Sequence, residues 1–262
     1  MTGIPRDPWA LLGAWTPARI AIGRVGASLP TREVLSFALA HAQARDAVHA
    51  RLDRVEMARR LEMLGLMSIE ASSLASDRVS YLGRPDLGRL LDAPSRERLT
   101  TARGGTCDLA VMIGDGLSAT AVTANAPALL SALLPHLKKI GLRLGPVVIA
   151  ESARVALGDE VGELLGARLV AVLIGERPGL SAADSLSVYL TYGPRSGRTD
   201  AERNCISNIR TGGLSPAVAA SNLAWLIEAA LGMQLTGIGL KDRSVAELQT
   251  SKAMHGPEGN SG

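Results

Sequence analysis

Aromatic side chains are nearly missing from this sequence: one Phe, three Trp and three Tyr make up 3% of 262 residues. The interior is therefore expected to be aliphatic, and recognition of nucleic acid by stacking bases on aromatic platforms is not expected. Cysteine is scarce too. Cys107 and Cys205 stand far apart in the chain, which gives no disulfide framework and no paired-cysteine zinc spacing and suits a reducing cytoplasm. Nor does charge of one sign dominate. Lys and Arg number 28 against 25 Asp and Glu, a net charge of +3, and the arginines are scattered, so no electrostatic footprint for nucleic acid or a membrane surface is read. No 18-residue apolar run and no secretory h-region are seen, so neither a membrane span nor a leader is expected.

What is present is a chain 47% hydrophobic and 20% charged, enough for one large domain or two modest ones with a sizeable core. The first part reads as helical and loop-rich. A helix begins near Pro30 with Ser28 or Thr31 as cap, and Asp53 followed by Glu56 opens a second in capping-box fashion. From Ser72 to Thr106 the pattern breaks at Gly83, Pro85, Gly88 and Pro94. A boundary is placed near residue 105, dividing a helical N-terminal region (1–105) from a second domain (106–242), with a disordered tail over 243–262.

In the second region DLAVMIG, GPVVIA and ARLVAVLIG are short aliphatic runs bounded by Gly or Pro, the mark of strands buried on both faces. Helix-length segments separate them. SLSVYLTYG is a fourth candidate strand and TGIGL a last short one. Ser215 caps a helix with Pro216 at its first position. The alternation predicts an α/β fold, a Rossmann-like doubly wound parallel sheet preceded by the smaller helical region.

Ligands of such sheets bind outside the carboxyl ends of the strands. The residues there are Asp115, Glu151, Glu176 and, after the fourth run, a polar loop that contains Cys205. For Cys205 three roles stand open: a reactive thiol, a metal or cofactor contact, or an ordinary loop residue. GDGLSA (114–119) matches the glycine-rich dinucleotide fingerprint, with Glu151 where a ribose-binding acid would lie. Against a nicotinamide-dependent oxidoreductase, Asp115 puts a carboxylate where pyrophosphate charge would arrive, and Glu151 stands farther along the chain than the usual spacing of about 20 residues. The four histidines, His41, His49, His136 and His255, make no metal set. No nucleophile elbow, Walker loop or zinc helix occurs.

Several segments together resemble the small subunit of ethanolamine ammonia-lyase: TPARIAIGRVGASLPTREVLSFALAHAQARDAVHA, RVSYLGRPDLGRLL, DGLSATAV, RVALGDEVGELLGARLVAVLIGERPGL and RTDAERNCISNIRTGGLS. The resemblance implies a subunit of an adenosylcobalamin-dependent lyase that converts ethanolamine to acetaldehyde and ammonia by radical rearrangement. A large subunit would hold the substrate, the heterodimers would gather into a higher oligomer, and this chain would cover the corrinoid without supplying a catalytic residue or a metal ligand. The family's cobalamin contacts fall at the valine of RVA, the glutamate of IGERPGL and the cysteine of CISNI, which here are Val155, Glu176 and Cys205. No Asp-x-His occurs, so the cofactor is expected to keep its own benzimidazole on cobalt. In some members the N-terminal segment directs the enzyme into a bacterial microcompartment. The N-terminus here is short, so the cytoplasm is the first expectation and a microcompartment the alternative. A stand-alone corrinoid carrier is a further rival.

Overall fold

The structure is a computed structural model that describes residues 8–105 and 107–241; the tail expected over 243–262 lies outside the described residues. Its strands are β1 (Ser68–Ser72), β2 (Cys107–Gly114), β3 (Leu144–Glu151), β4 (Ala167–Gly175), β5 (Leu186–Tyr192) and β6 (Arg203–Ile209). They form one sheet in the order β1-β3-β2-β4-β5-β6. The helices are α1 (Thr31–His49), α2 (Arg54–Met63), α3 (Arg78–Gly83), α4 (Ala93–Thr101), α5 (Ala119–Lys139), α6 (Leu157–Leu164) and α7 (Pro216–Met233).

The expected wholly parallel sheet is corrected to a mixed one. β1, β3, β2 and β4 run parallel, but β5 is antiparallel to β4 and β6 antiparallel to β5. The cause lies in the connections. A parallel return needs a crossover, usually a helix, and no helix lies between Gly175 and Leu186. β1 falls in the segment read as helical and loop-rich; it is a five-residue edge strand with polar Ser68, Glu70 and Ser72, so it carries no aliphatic run. TGIGL is a 3₁₀ turn, Gly237–Gly239, not a strand.

The side chains of β2 alternate between two cores. Leu109, Val111 and Ile113 join α2, α5 and α7 on one face. Ala110 and Met112 join residues of α4 and α6 on the other. Caps fix where the helices begin: Asp53 accepts from the Glu56 amide, Ser118 from Ala121 and Ser215 from Val218. Pro30 precedes α1 without a side-chain cap. α7 is apolar and long enough to cross a membrane by composition, yet Leu223, Leu226 and Ile227 are buried in the first core. α1 is packed least, with Ala40 and Ala47 its buried residues, while Val34, Leu35, Phe37 and Leu39 face outward.

α6 lies unusually close to the sheet because it presents glycines. A Cβ at Gly158 would overlap Val172 Cγ2, and one at Gly162 would meet Pro194 Cγ at 2.5 Å and Val170 Cβ at 3.1 Å. The same helix is tied to β6 by a buried ion pair. Arg203 Nη1 and Nη2 donate to Asp159 Oδ1 and Oδ2 at 2.6 and 2.7 Å, and the two side chains are 1% and 2% exposed. Nη1 also donates to Thr191 Oγ1 (3.0 Å) and Nη2 to the Arg198 carbonyl (3.0 Å). Burial, the largest single influence, would lower the Arg203 pKa; the hydrogen bonds and charge of Asp159, together with those of Asp200, outweigh it and hold the pKa above its ordinary value.

Two stability outcomes follow, each read by urea unfolding. Gly158→Ala gains about 1 kcal/mol of helix propensity but overfills the contact, so a net loss of roughly 1–2 kcal/mol is expected; a net gain would mean that α6 shifts freely. Arg203→Met leaves Asp159 buried without its partner and is expected to lose about 3–5 kcal/mol. Pairing it with Asp159→Leu should recover most of that loss, and an equal or greater loss in the double variant would show that the pair itself, not the stranded charge, supplies the stability.

Candidate functional site

Where β5 and β6 extend the sheet, one face is covered throughout and the other only in part. Leu186, Val188 and Leu190 of β5 point into the first core, as do Ile206 and Ile209 of β6. The opposite face carries Ser187, Tyr189 and Thr191. α6 packs chiefly on β4 and β2; Thr191, beside the Asp159–Arg203 pair, and Ser187 are buried, and the part of the sheet around Tyr189 is left as the floor of a groove. One wall is the loop that joins β5 to β6. Arg198 pins it by donating to the Tyr192 and Gly193 carbonyls at 3.0 Å and by pairing with Glu202, and Thr199 closes a capping box with Glu202. The other wall is the turn from β3 into α6, Ser152 to Ala156.

The groove consists of two adjoining cavities of about 420 and 240 Å³ that share Arg154, Val155 and Tyr189. The larger runs toward Arg89 and Arg198, the smaller toward Glu176 and Ser187 at the end of β4. A wider hollow of about 620 Å³ lies between α1 and residues 179–184, but Asp46 and Asp184 are the ionisable groups lining it and none of the candidate residues reaches it.

Val155 is half-buried in the β3–α6 turn, packed on the second core and exposed to both cavities. Glu176 is the first residue past β4. Its amide donates to the Ser185 carbonyl (2.9 Å), and its Oε1 accepts from the Ser187 hydroxyl and from the Asn208 amide (3.0 Å). Asn208 has φ +59°, a left-handed conformation that Asn tolerates. The carboxylate thus joins the ends of three strands, while Oε2 accepts no hydrogen bond among the described residues.

Cys205 was expected in a loop; it lies in β6. Only Ile206 and Ile209 of that strand enter the first core, so the sequence shows no strand pattern. Cys205 pairs across with Tyr189 and faces solvent beside the cavities rather than among their lining residues. Desolvation against the groove floor raises its thiol pKa, hydrogen bonds with Tyr189 and Ser187 oppose the rise, and the Glu176 charge adds to it. The Tyr189 phenol is itself pushed up to about 12, by burial first and then by Cys205. A thiol held neutral in this way is a packing and weak hydrogen-bonding surface, not a ready nucleophile. Val155 and Glu176 therefore share one cavity, and Tyr189 links Cys205 to it.

Three residues not singled out from the sequence shape the site. Tyr81 of α3 is fully buried, donates to the Ala153 carbonyl (2.9 Å) and lies between the guanidinium groups of Arg78 and Arg154, 4.8 and 4.2 Å from its ring centre. Tyr189 is the outward aromatic of β5; its place in an alternating run was the one available signal. Arg154 had none.

The glycine turn 114–119 is filled by the protein itself. Asp115 Oδ1 accepts from the Ala153 amide (3.0 Å), the Leu117 amide donates to the Gly175 carbonyl (3.0 Å), and Arg78 donates to the Gly116 carbonyl (2.8 Å). Burial raises the Asp115 pKa, opposed by the Ala153 amide and Arg78. Gly116 has φ +56° and would press any Cβ into Gly175. The Asp115, Leu117 and Ser118 amides are already paired, and a turn closed by β4 leaves no open cradle for a pyrophosphate. Glu151, offered as the ribose acid, lies 3.6 Å from Arg54.

Comparison with known proteins agrees with this exclusion. A family model described as ethanolamine ammonia-lyase light chain matches residues 6–241. The ethanolamine ammonia-lyase small subunit of Bradyrhizobium diazoefficiens is 56% identical over 242 residues, covering 92% of this chain and 93% of the relative. That of Xanthomonas campestris pv. campestris (strain ATCC 33913) is 54% identical over 243 residues, 92% and 89% of the two chains, and that of Pseudomonas putida (strain W619) 48% identical over 259 residues, 98% and 95%. By the extent and identity of these matches, the chain belongs to the ethanolamine ammonia-lyase light-chain family.

Proposed function

We propose that this chain is the cobalamin-covering subunit of ethanolamine ammonia-lyase, acting with a large subunit that holds the substrate while ethanolamine is converted to acetaldehyde and ammonia. The observation that carries this reading is the open groove over β5 and β6, lined by Val155 and Glu176 and flanked by Cys205 in a chain of this family. A corrin presents an apolar ring edge and several amide side chains, and the groove offers matching chemistry. Glu176 Oε2 is an unspent acceptor for an amide N–H, on a carboxylate already oriented through Oε1. Val155 offers an apolar contact, and the Tyr189–Cys205 pair a surface that is mostly apolar with weak polar tips. The breadth of the groove suits a ligand covered from one side only, with a second subunit closing the other.

Bound adenosylcobalamin supplies the radical that begins the rearrangement. This chain's contribution is to orient the cofactor and keep water from one side of it, so no catalytic residue is assigned to it. No histidine lines the groove among the described residues and the sequence holds no Asp-x-His, so the cofactor is inferred to retain its own base on cobalt. Assembly into a higher oligomer of heterodimers belongs to the same proposal. So does a cytoplasmic location, within or outside a microcompartment, which suits the free thiols of Cys107 and Cys205.

Mixing the chain with the large subunit, adenosylcobalamin and ethanolamine should yield acetaldehyde only when all are present. Full activity of a folded large subunit alone would overturn the reading. Glu176→Ala is expected to raise the cobalamin concentration giving half-maximal activity by about tenfold, with co-elution of the subunits unchanged. Iodoacetamide labelling of Cys205, followed by mass spectrometry, should be slow at neutral pH because the thiol pKa is raised, and slower again once cobalamin is added to the complex. Labelling unaffected by cobalamin would remove Cys205 from the contact.

A further inference from the structure

The larger half of the groove is lined by four arginines, and two of them pair with no acid among the described residues. Arg203 is engaged by Asp159 and Asp200, and Arg198 by Glu202. Arg89 makes no ion pair or side-chain hydrogen bond among the described residues. Arg154 donates Nη2 to the Tyr81 carbonyl (3.2 Å) and lies over the Tyr81 ring, but its Nε is buried with no hydrogen-bond partner. That nitrogen is closed to solvent, which leaves the outer Nη1, with no hydrogen bond among the described residues, to meet a ligand oxygen.

Both arginines are held in place before any ligand arrives. The Arg154 amide donates to the Gly88 carbonyl (2.8 Å). Gly88 itself is packed so closely that a Cβ there would meet Arg154 Cγ at 2.8 Å and Tyr81 Cδ2 at 3.1 Å. Arg89 follows Gly88 directly, so its backbone is fixed beside Arg154, and both side chains line the same cavity. Val155 and Ala156, at the start of α6, line it too. No side chain caps that helix, so the positive end of its dipole adds to the field. The carboxylate facing this cavity is Asp200, whose Oδ1 is 3.4 Å from Arg203 Nε.

We propose that Arg89 and Arg154 form a phosphate-binding corner of the groove that takes a phosphodiester monoanion. Guanidinium groups match the oxygens of such a group in charge and geometry. The proposal rests on the cobalamin reading for its source: the nucleotide tail of cobalamin carries one phosphodiester, and free inorganic phosphate is the other source of the same chemistry.

The test uses the complex of this chain with its large subunit and equilibrium dialysis read by visible absorbance. Hydroxocobalamin is compared with diaquacobinamide, a corrinoid without the phosphodiester. Arg89→Gln, which removes no bond of the folded chain, is expected to weaken cobalamin binding about tenfold and to leave cobinamide binding unchanged. Arg154→Lys, which keeps the charge but loses the guanidinium fork, should act in the same direction. Inorganic phosphate should compete with cobalamin in the wild-type complex and lose that effect in Arg89→Gln. Equal weakening of both corrinoids, or no weakening of either, overturns the proposal while leaving cobalamin binding intact. If the wild-type complex binds neither corrinoid, the cofactor reading fails, and calorimetry with inorganic phosphate decides the rest. Phosphate binding lost in Arg89→Gln then supports the corner with free phosphate as its ligand, and no binding ends it.

Discussion

The pair formed by Arg203 and Asp159 is the constraint on which the groove depends. Two full charges sit where water does not reach, so each must be matched by the other and by the surrounding acceptors and donors. Asp159 lies in the first turn of α6, the end where a carboxylate is favoured by the helix dipole, and Arg203 opens β6. The bond joins the last helix that covers this face of the sheet to the strand that lies beyond it. Thr191 of β5 and the Arg198 carbonyl complete the set, so floor, wall and covering helix meet at one guanidinium. Such a pair fixes geometry more than it adds stability, because much of its attraction offsets the cost of removing both ions from water.

The groove itself arises from a missing helix. Each parallel return among β1 to β4 brings a helix that lies on a face of the sheet, and α4 and α6 together cover that half. The chain then reverses without a crossover, twice, and lays down β5 and β6 with no further helix for the same face. Alternation supplies the rest: one side of β5 is Leu, Val and Leu, and the other is Ser, Tyr and Thr. A sheet finished in this way has a closed core and, around Tyr189, a partly open, partly polar surface at its end. Glu176 then holds that end together, since its carboxylate accepts from β5 and from the end of β6 while its backbone belongs to the exit from β4.

Much of this architecture could be read from the residues. The aliphatic runs of β2, β3 and β4 and the caps at Asp53 and Ser215 stand where the pattern placed them, because burial on both faces and satisfied helix ends leave strong local marks. Strand direction left no such mark: SLSVYLTYG reads as a strand in either sense, and only the connection before it decides. β1 and β6 were hidden because their outward residues are polar, and β1 pairs with a distant segment, β3. Within the site, the rule that ligands gather at strand ends pointed to Glu176 from the residues alone. The same rule pointed to the loop read as holding Cys205 and left its role open; Val155, and the choice of a cofactor contact for Cys205, came only from the likeness to a family. Arg89, Arg154 and Tyr81 were not legible at all, since what joins them is a close approach between two separate turns.

The glycine contacts of α6 bear on how this sequence can drift. At Gly158 the helix has no spare volume against Val172, and at Gly162 none against Pro194. A methyl group gained on the helix must be matched by one lost on the strand or loop opposite, so tolerated changes at these positions come as compensating pairs rather than singly. The strip of α6 that faces β4 is therefore a region where one substitution sets which second substitution is permitted, and where homologous sequences can differ without either change being neutral alone.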